Sequence, residues 1–395
     1  MQRPRHGAIV AGAAAAIVLA AFTSFSAGSK THGFISYYTA SRLLVEGELG
    51  PRAYNDRWFG AVVQRLTQTS LREIFTPNPP PMALMSLPLV GFGPEAARVV
   101  WLVASLAAFL GGVGALVRYR AARHLHLSIA VVLLMLLTPA VFTNLRIGQG
   151  YLFVFALFAA MTLLLLHGRD RLAGICLGLL LVLKTSGLAM CVLLIARRRW
   201  PTLIAAAITS VMVALAMTPW IDPSMWLVYP SAVRDYVARP ASAVTAYQTT
   251  LSLFRHLCIA DPQWNPEPAA NCASIAFVAP YLLIGAATIV TALLARRAAR
   301  ADDWIAAGVV LSVLSLPAVA EPHFVLMGIP LALLRLSAPE IAVIAALLIV
   351  PLEITAERFT TGWSAVLAYP RLYAAWVLWL ACIRALSGAK MRSNL

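Results

Sequence analysis

Lys184, Gln149 and His323 are the side chains whose settings point most directly to chemistry. Lys184 interrupts the apolar run LVLKTSGLAM, and an ammonium there is costly in lipid unless it faces a cavity or an anion. Either it contacts an anionic ligand, or it snorkels or pairs structurally. Gln149 stands between two glycines in RIGQGY. Its amide either binds ligand hydroxyls or caps a helix facing a cavity, or else belongs to a turn at a membrane boundary. His323 follows Glu321 and Pro322 at the end of another apolar run, where an imidazole can hydrogen-bond a phosphate or a hydroxyl. Arg146, Arg234, Arg239 and Arg255 are further cations for an anionic ligand. Tyr37, Tyr38, Tyr54, Trp58 and Phe59 could stack on a flat apolar face of a ligand or form an interfacial belt, and Trp58 and Phe59 favour the belt because Asp56 to Gln68 reads as an amphipathic helix. No CxxC, HExxH or glycine-rich phosphate loop is present, so neither a metal nor a nucleotide cofactor is expected.

The elements that must position these residues are membrane helices. The chain of 395 residues is 61% hydrophobic and only 12% charged, with a mean hydropathy of +0.80, which excludes a soluble domain with an ordinary polar surface. Its net charge of +15 does not indicate nucleic acid, because the arginines gather in short clusters between apolar runs, the mark of cytoplasmic loops. Read with a span of about 20 residues as the ruler, the sequence is a single integral membrane domain over residues 1–395, an all-α polytopic bundle of about 11 to 13 membrane segments with both termini cytoplasmic. Two long segments, 30–94 and 220–271, fall outside and hold most residues capable of chemistry. The stretch from Ala173 to Ala196 has basic residues at both ends and Lys184 at its centre, so it reads as a broken or re-entrant pair of half-helices. Cys258 and Cys272 share the second outer segment, where an oxidising compartment makes a disulfide plausible.

Taken in order, GFISYYTASRLLVEGELGPRAYND, FTPNPPPMALMSLPL, NLRIGQGYLFVF, LGLLLVLKTSGLAMCVLLIARRRW and LPAVAEPHFVL resemble the landmarks of glycosyltransferase family 87. That family includes polyprenyl-phosphate-mannose-dependent mannosyltransferases of the C-type glycosyltransferase fold. The resemblance implies transfer of a hexose, mannose by the family's example, at the outer face of the cytoplasmic membrane. The donor would be a polyprenyl-phosphate-linked sugar and the acceptor lipid-linked or membrane-proximal. Such a donor needs cations for its phosphate, and Lys184 and Arg146 are available; the resemblance further implies that Gln149, Tyr37 and Tyr38 belong to the substrate site and that His323 lies beside it.

One departure from the family pattern stands out. The resemblance implies an aspartate four residues before Tyr37, as general base for the acceptor hydroxyl, and Gly33 occupies that place. An inverting transfer still needs a proton acceptor. Asp56 is the nearest outer aspartate, and with His323 it is the catalytic pair expected here. Glu46, Glu48 and His32 are weaker candidates. Two other classes remain open at this point, a transporter or flippase of lipid-linked saccharide and a catalytically silent family member.

Overall fold

A computed structural model describes residues 3–28, 32–123, 128–239 and 246–388. Lys30 and the tail cations Lys390 and Arg392 lie outside the described residues. Among these residues the secondary structure is helical, with two isolated bridges and no strand. α1 (Arg3–Ala27) leads into a first inter-span segment carrying α2 (Phe34–Val45) and α3 (Asp56–Thr67). The bundle continues with α4 (Pro94–Ala122), α5 (Ile129–Leu136), α6 (Pro139–Ile147), α7 (Tyr151–Leu166), α8 (Asp170–Lys184), α9 (Leu188–Ala196) and α10 (Trp200–Met217). A second inter-span segment carries α11 (Ser224–Ala238) and α12 (Thr250–Cys258). α13 (Ala273–Ala295), α14 (Ala301–Leu314), α15 (Gly328–Leu333), α16 (Ala338–Ile349), α17 (Leu352–Arg358) and α18 (Pro370–Gly388) complete it.

The chain is a polytopic all-α membrane protein. Five stretches are long and apolar enough to cross: residues 10–27, 94–122, 129–147, 200–217 and 273–295, the third made of α5 and α6 in succession. The α16–α17 pair, bent by 70°, makes a sixth if taken as one span. Their outward faces are apolar, as Ile204, Ile208 and Leu215 on α10 and Leu282, Ile289 and Leu293 on α13 show. In water such a belt would be an aggregation surface; in lipid it is the solvated face. Other apolar runs read from hydropathy as spans form helices shorter than 18 residues. α7 and the run from Glu321 to Leu333 are two of them.

The breaks have local causes. α8 ends where Thr185 adopts a left-handed backbone (φ 49°), and α9 starts after Gly187 at φ 98°, a conformation open to glycine at little cost. The expected break at Lys184 is therefore present. With about 1.5 Å of rise per residue, the 15 residues of α8 climb about 22 Å, less than the ~30 Å of a hydrocarbon core. Lys184 thus ends α8 within the bundle.

The basic clusters converge on one pole. Arg197 donates to the carbonyls of Ala295, Arg296 and Ala298 at 3.0, 3.1 and 3.2 Å, and Arg199 pairs with Asp170 at 3.1 Å. Arg123 and Arg300 both reach Asp302, at 3.8 and 3.6 Å, and Arg120 donates to the carbonyl of Ala332. At the other pole the first inter-span segment folds into a cap whose core of Phe34, Tyr37, Phe59 and Phe75 packs on Trp101 of α4. α3 forms as expected, capped by the Asn55 side chain accepting from Trp58 N at 3.0 Å. Its Phe59 is not interfacial, however: it is fully buried against Phe75, with ring centroids 5.7 Å apart, because that face of α3 packs on the cap rather than on lipid.

Candidate active site

A cavity of about 400 Å³ lies where the cap, the α8–α9 break, α11 and the Glu321–Met327 turn meet. Lys184 projects into it from the last turn of α8, donating to Tyr37 Oη at 2.9 Å and to Asn78 Oδ1 at 2.7 Å. Its ammonium also lies 4.8 and 5.1 Å from the ring centroids of Tyr37 and Tyr151, within cation–π range. No carboxylate among the described residues pairs with it.

Each partner is held by the local fold. Tyr37 lies on the buried face of α2, and its hydroxyl passes the hydrogen bond on to Gln149 Oε1. Burial raises the pKa of this phenol, and the nearby charge of Glu73 adds to the rise, so the group stays a neutral donor. Asn78 is fixed by its Nδ2 donating to Phe75 O at 2.7 Å, and Tyr54 donates to its carbonyl at 3.0 Å, which leaves Oδ1 aimed at Lys184.

Gln149 follows a turn that α4 pins from below. Arg98 donates to Arg146 O at 2.6 Å and Trp101 Nε1 to Gly148 O at 2.9 Å. Gly148 has φ +69°, and a Cβ there would come within 2.7 Å of Phe34 Cβ, so only glycine fits.

His323 enters from the facing turn. Its ring stacks on Tyr151 with centroids 3.9 Å apart, and Nδ1 lies 3.1 Å from Ala320 O. A carbonyl can only accept, so Nδ1 carries the hydrogen and the neutral ring offers Nε2 as acceptor. The turn is anchored twice. Asn144 donates to Pro322 O at 2.9 Å, and Glu321 pairs with the fully buried Arg371 at 2.9 Å.

Other residues singled out by sequence fall elsewhere. Asp56 does not line the cavity; its carboxylate pairs with Arg239 at 2.7 Å, and it does not meet His323. Tyr38 points away and donates to Phe92 O at 2.7 Å, since neighbours on a helix are about 100° apart and cannot share a face. Arg146 is exposed and contributes its backbone carbonyl rather than a charge in the cavity. Arg234 pairs with Asp235 at 3.3 Å, and Arg255 is buried and donates to Val237 O. Cys258 and Cys272 form a disulfide.

Three contributions escape the sequence reading. Asn78 comes from the proline-rich run FTPNPPP, where it reads as a turn former. Tyr229, Tyr236 and Tyr247 build an aromatic wall opposite Lys184; burial pushes the Tyr229 phenol up to about 12. Glu73 is the third. It is the sole carboxylate among the residues lining the cavity, and only its nearness to that proline-rich run would have drawn the eye.

An apolar groove of about 570 Å³ adjoins the cavity and shares Thr185, Tyr229, Val233, Leu316 and Pro317 with it. The groove continues along Leu188, Ala189 and Val192 of α9 to Thr288 of α13, toward the lipid-facing surface.

A cation without a counter-ion, tyrosine walls and an adjoining apolar groove make a site that can hold an anionic amphiphile with a polyhydroxylated head. Compared with curated proteins, the chain matches none. The pattern of glycosyltransferase family 87 matches residues 75–317, more than half of the chain, including Asn78, Gln149, Lys184 and the tyrosine wall, while Tyr37, Glu73 and His323 lie outside the match. The expectation drawn from the ordered motifs therefore holds at the level of the family, and the chain is a membrane glycosyltransferase belonging to glycosyltransferase family 87.

Proposed function

We propose that this glycosyltransferase moves a hexose, mannose by the family resemblance, from a polyprenyl-phosphate-linked donor to a lipid-linked or membrane-proximal acceptor. The reaction takes place at the outer face of the cytoplasmic membrane, with both termini cytoplasmic. The observation that carries the reading is Lys184. A buried ammonium held only by neutral groups pays its desolvation without an ionic partner, and an incoming phosphate supplies one.

The donor's parts fit the neighbouring surfaces. Its phosphate meets Lys184 with the Tyr37 hydroxyl alongside, and its tail runs down the groove between α9, α11 and α13. The sugar lies against the tyrosine wall, where ring C–H faces stack on phenols. His323 Nε2 and the Gln149 amide are the polar groups left for sugar or acceptor hydroxyls. The convergence of the clusters around Arg120, Arg197 and Arg300 on the far pole supports a cytoplasmic pole opposite the site.

The test uses the purified full-length chain in nanodiscs with polyprenyl-phosphate mannose. Lys184→Ala is expected to weaken donor binding about 10- to 100-fold, the equivalent of one charge-assisted hydrogen bond, while Lys184→Arg keeps part of it. Unchanged affinity in the alanine variant would sink the phosphate role. Cysteines placed at Ser70 and Arg297 should label from opposite sides of the membrane, and labelling from the same side would overturn the orientation.

A further inference from the structure

We infer that Glu73 is the general base that takes the proton from the acceptor hydroxyl, a role the sequence pattern would give to position 33. The inference rests on the transferase reading above and names a residue for it.

Position 33 cannot hold an acidic side chain in this backbone. Gly33 has φ +92°, and a Cβ built there would lie 2.3 Å from the carbonyl oxygen of Ile147. That carbonyl belongs to the end of α6, immediately before the turn fixed by Arg98 and Trp101, so it cannot give way without moving Gln149. Gly33 is therefore shaped to let the two backbones touch.

A carboxylate nevertheless stands at that point. α3 ends at Gln68 in a left-handed conformation (φ 51°), and the chain turns back so that Glu73 meets the start of α2. Its Oε2 accepts from Gly33 N at 2.8 Å. This is one of the N–H groups a helix N-terminus leaves unpaired, and a negative charge is favoured there. Oε1 accepts from Ile74 N at 3.0 Å, which leaves it a lone pair for a substrate proton. The side chain is 17% exposed, so it is held in place yet accessible from the cavity. Tyr37 and Tyr236, on two walls of that cavity, both feel its charge. His32, 64% exposed, has Nδ1 3.3 Å from Oε2 and connects the carboxylate to bulk water.

The step balances. The acceptor O–H proton moves to the Glu73 carboxylate as the acceptor oxygen bonds to the anomeric carbon. The bond from that carbon to the phosphate oxygen breaks with its electron pair, and polyprenyl phosphate leaves with the added negative charge beside Lys184. Glu73 then passes its proton to water by way of His32. A single displacement of this kind inverts the anomeric centre. It places base and leaving-group cation in one cavity on different elements, Glu73 on the cap and Lys184 on α8.

The experiment measures consumption of polyprenyl-phosphate mannose by the full-length protein, with octyl mannoside or water as acceptor, alongside donor affinity and thermal stability. Glu73→Gln should lose about 100- to 10,000-fold in turnover with donor affinity within about twofold. Glu73→Asp, one methylene shorter, should retain part of the activity with an altered pH profile. If wild type turns over and Glu73→Gln does too, Glu73 is not the base and the transferase reading stands. If donor affinity and thermal stability fall together with turnover in both variants, Glu73 is a structural anchor and the inference is overturned. A wild type that binds donor but never consumes it would overturn the transferase reading and this inference with it.

Discussion

Two cations sit at breaks in apolar segments, Lys184 at the end of α8 and Arg371 beside the bend between α16 and α17, and they are satisfied in opposite ways. Arg371 is fully buried, pairs with Glu321 at 2.9 Å, and donates to the carbonyls of Leu347 and of Val350, the latter at 2.7 Å. Those are carbonyls released where α16 stops short of Pro351, so the guanidinium closes the break and neutralises its own charge. Lys184 has Tyr37 Oη and Asn78 Oδ1, both neutral, and a cavity. A buried cation whose charge the protein cancels serves the fold, whereas the charge of Lys184 is left over, and the function proposed above assigns it to an anion. Sequence shows both as basic residues near apolar runs, and the difference lies in what surrounds them.

The sharpest way to break this comparison is to remove Arg371. Arg371→Ala leaves Glu321 buried without its partner and frees two backbone carbonyls, so a loss of about 3–5 kcal/mol in stability is expected. It should be read by thermal or denaturant unfolding in lipid, and the His323 turn should loosen with it. A stable Arg371→Ala would show that the pair is not structural.

Gly33 gives the next largest effect. The left-handed backbone alone costs about 1–3 kcal/mol for a residue with a Cβ, and the contact with Ile147 O adds to it. Gly33→Asp is therefore expected to lower both stability and transfer, although an acid at this position is the very residue the family pattern would place there. Restored or raised activity would overturn the steric account.

Lys184 sharpens the comparison from the other side. Lys184→Met should leave stability within about 1 kcal/mol, or raise it, because an unpaired buried charge is replaced by an apolar chain of similar length. Transfer should nonetheless fall, as phosphate contact is lost. A destabilisation as large as that of Arg371→Ala would place the two cations in the same class.

The smallest effect is expected from Asp56→Asn. Its side chain is 28% exposed and its partner Arg239 44%, and pairs this open to solvent are worth about 0–1 kcal/mol. Turnover should change less than about threefold. A loss approaching that expected of Glu73→Gln would return Asp56 to the role of base.

Much of the architecture was legible in one dimension because lipid imposes a one-dimensional rule. Spans must be long and apolar, and arginines mark loop ends, so the helices around residues 94–122, 200–217 and 273–295 and the convergence of the basic clusters could be read from local composition. The break at Lys184 was legible for the same reason, since a lysine followed by TSG cannot continue an apolar helix at low cost. The membership of the chain in its family followed from motif order. Side-chain partnership was not legible, because it depends on contacts far apart in sequence. Glu73 reaches Gly33 across 40 positions, Lys184 reaches Tyr37 across 147, and Asp56 turns to Arg239 rather than to His323. The sequence by itself determined that this protein spans a membrane and carries a lysine inside an apolar run. Only the tertiary structure decided which carboxylate stands opposite that lysine, because a steric contact between Gly33 and Ile147 and the turn-back after α3 settle it, and neither leaves a trace in the order of residues.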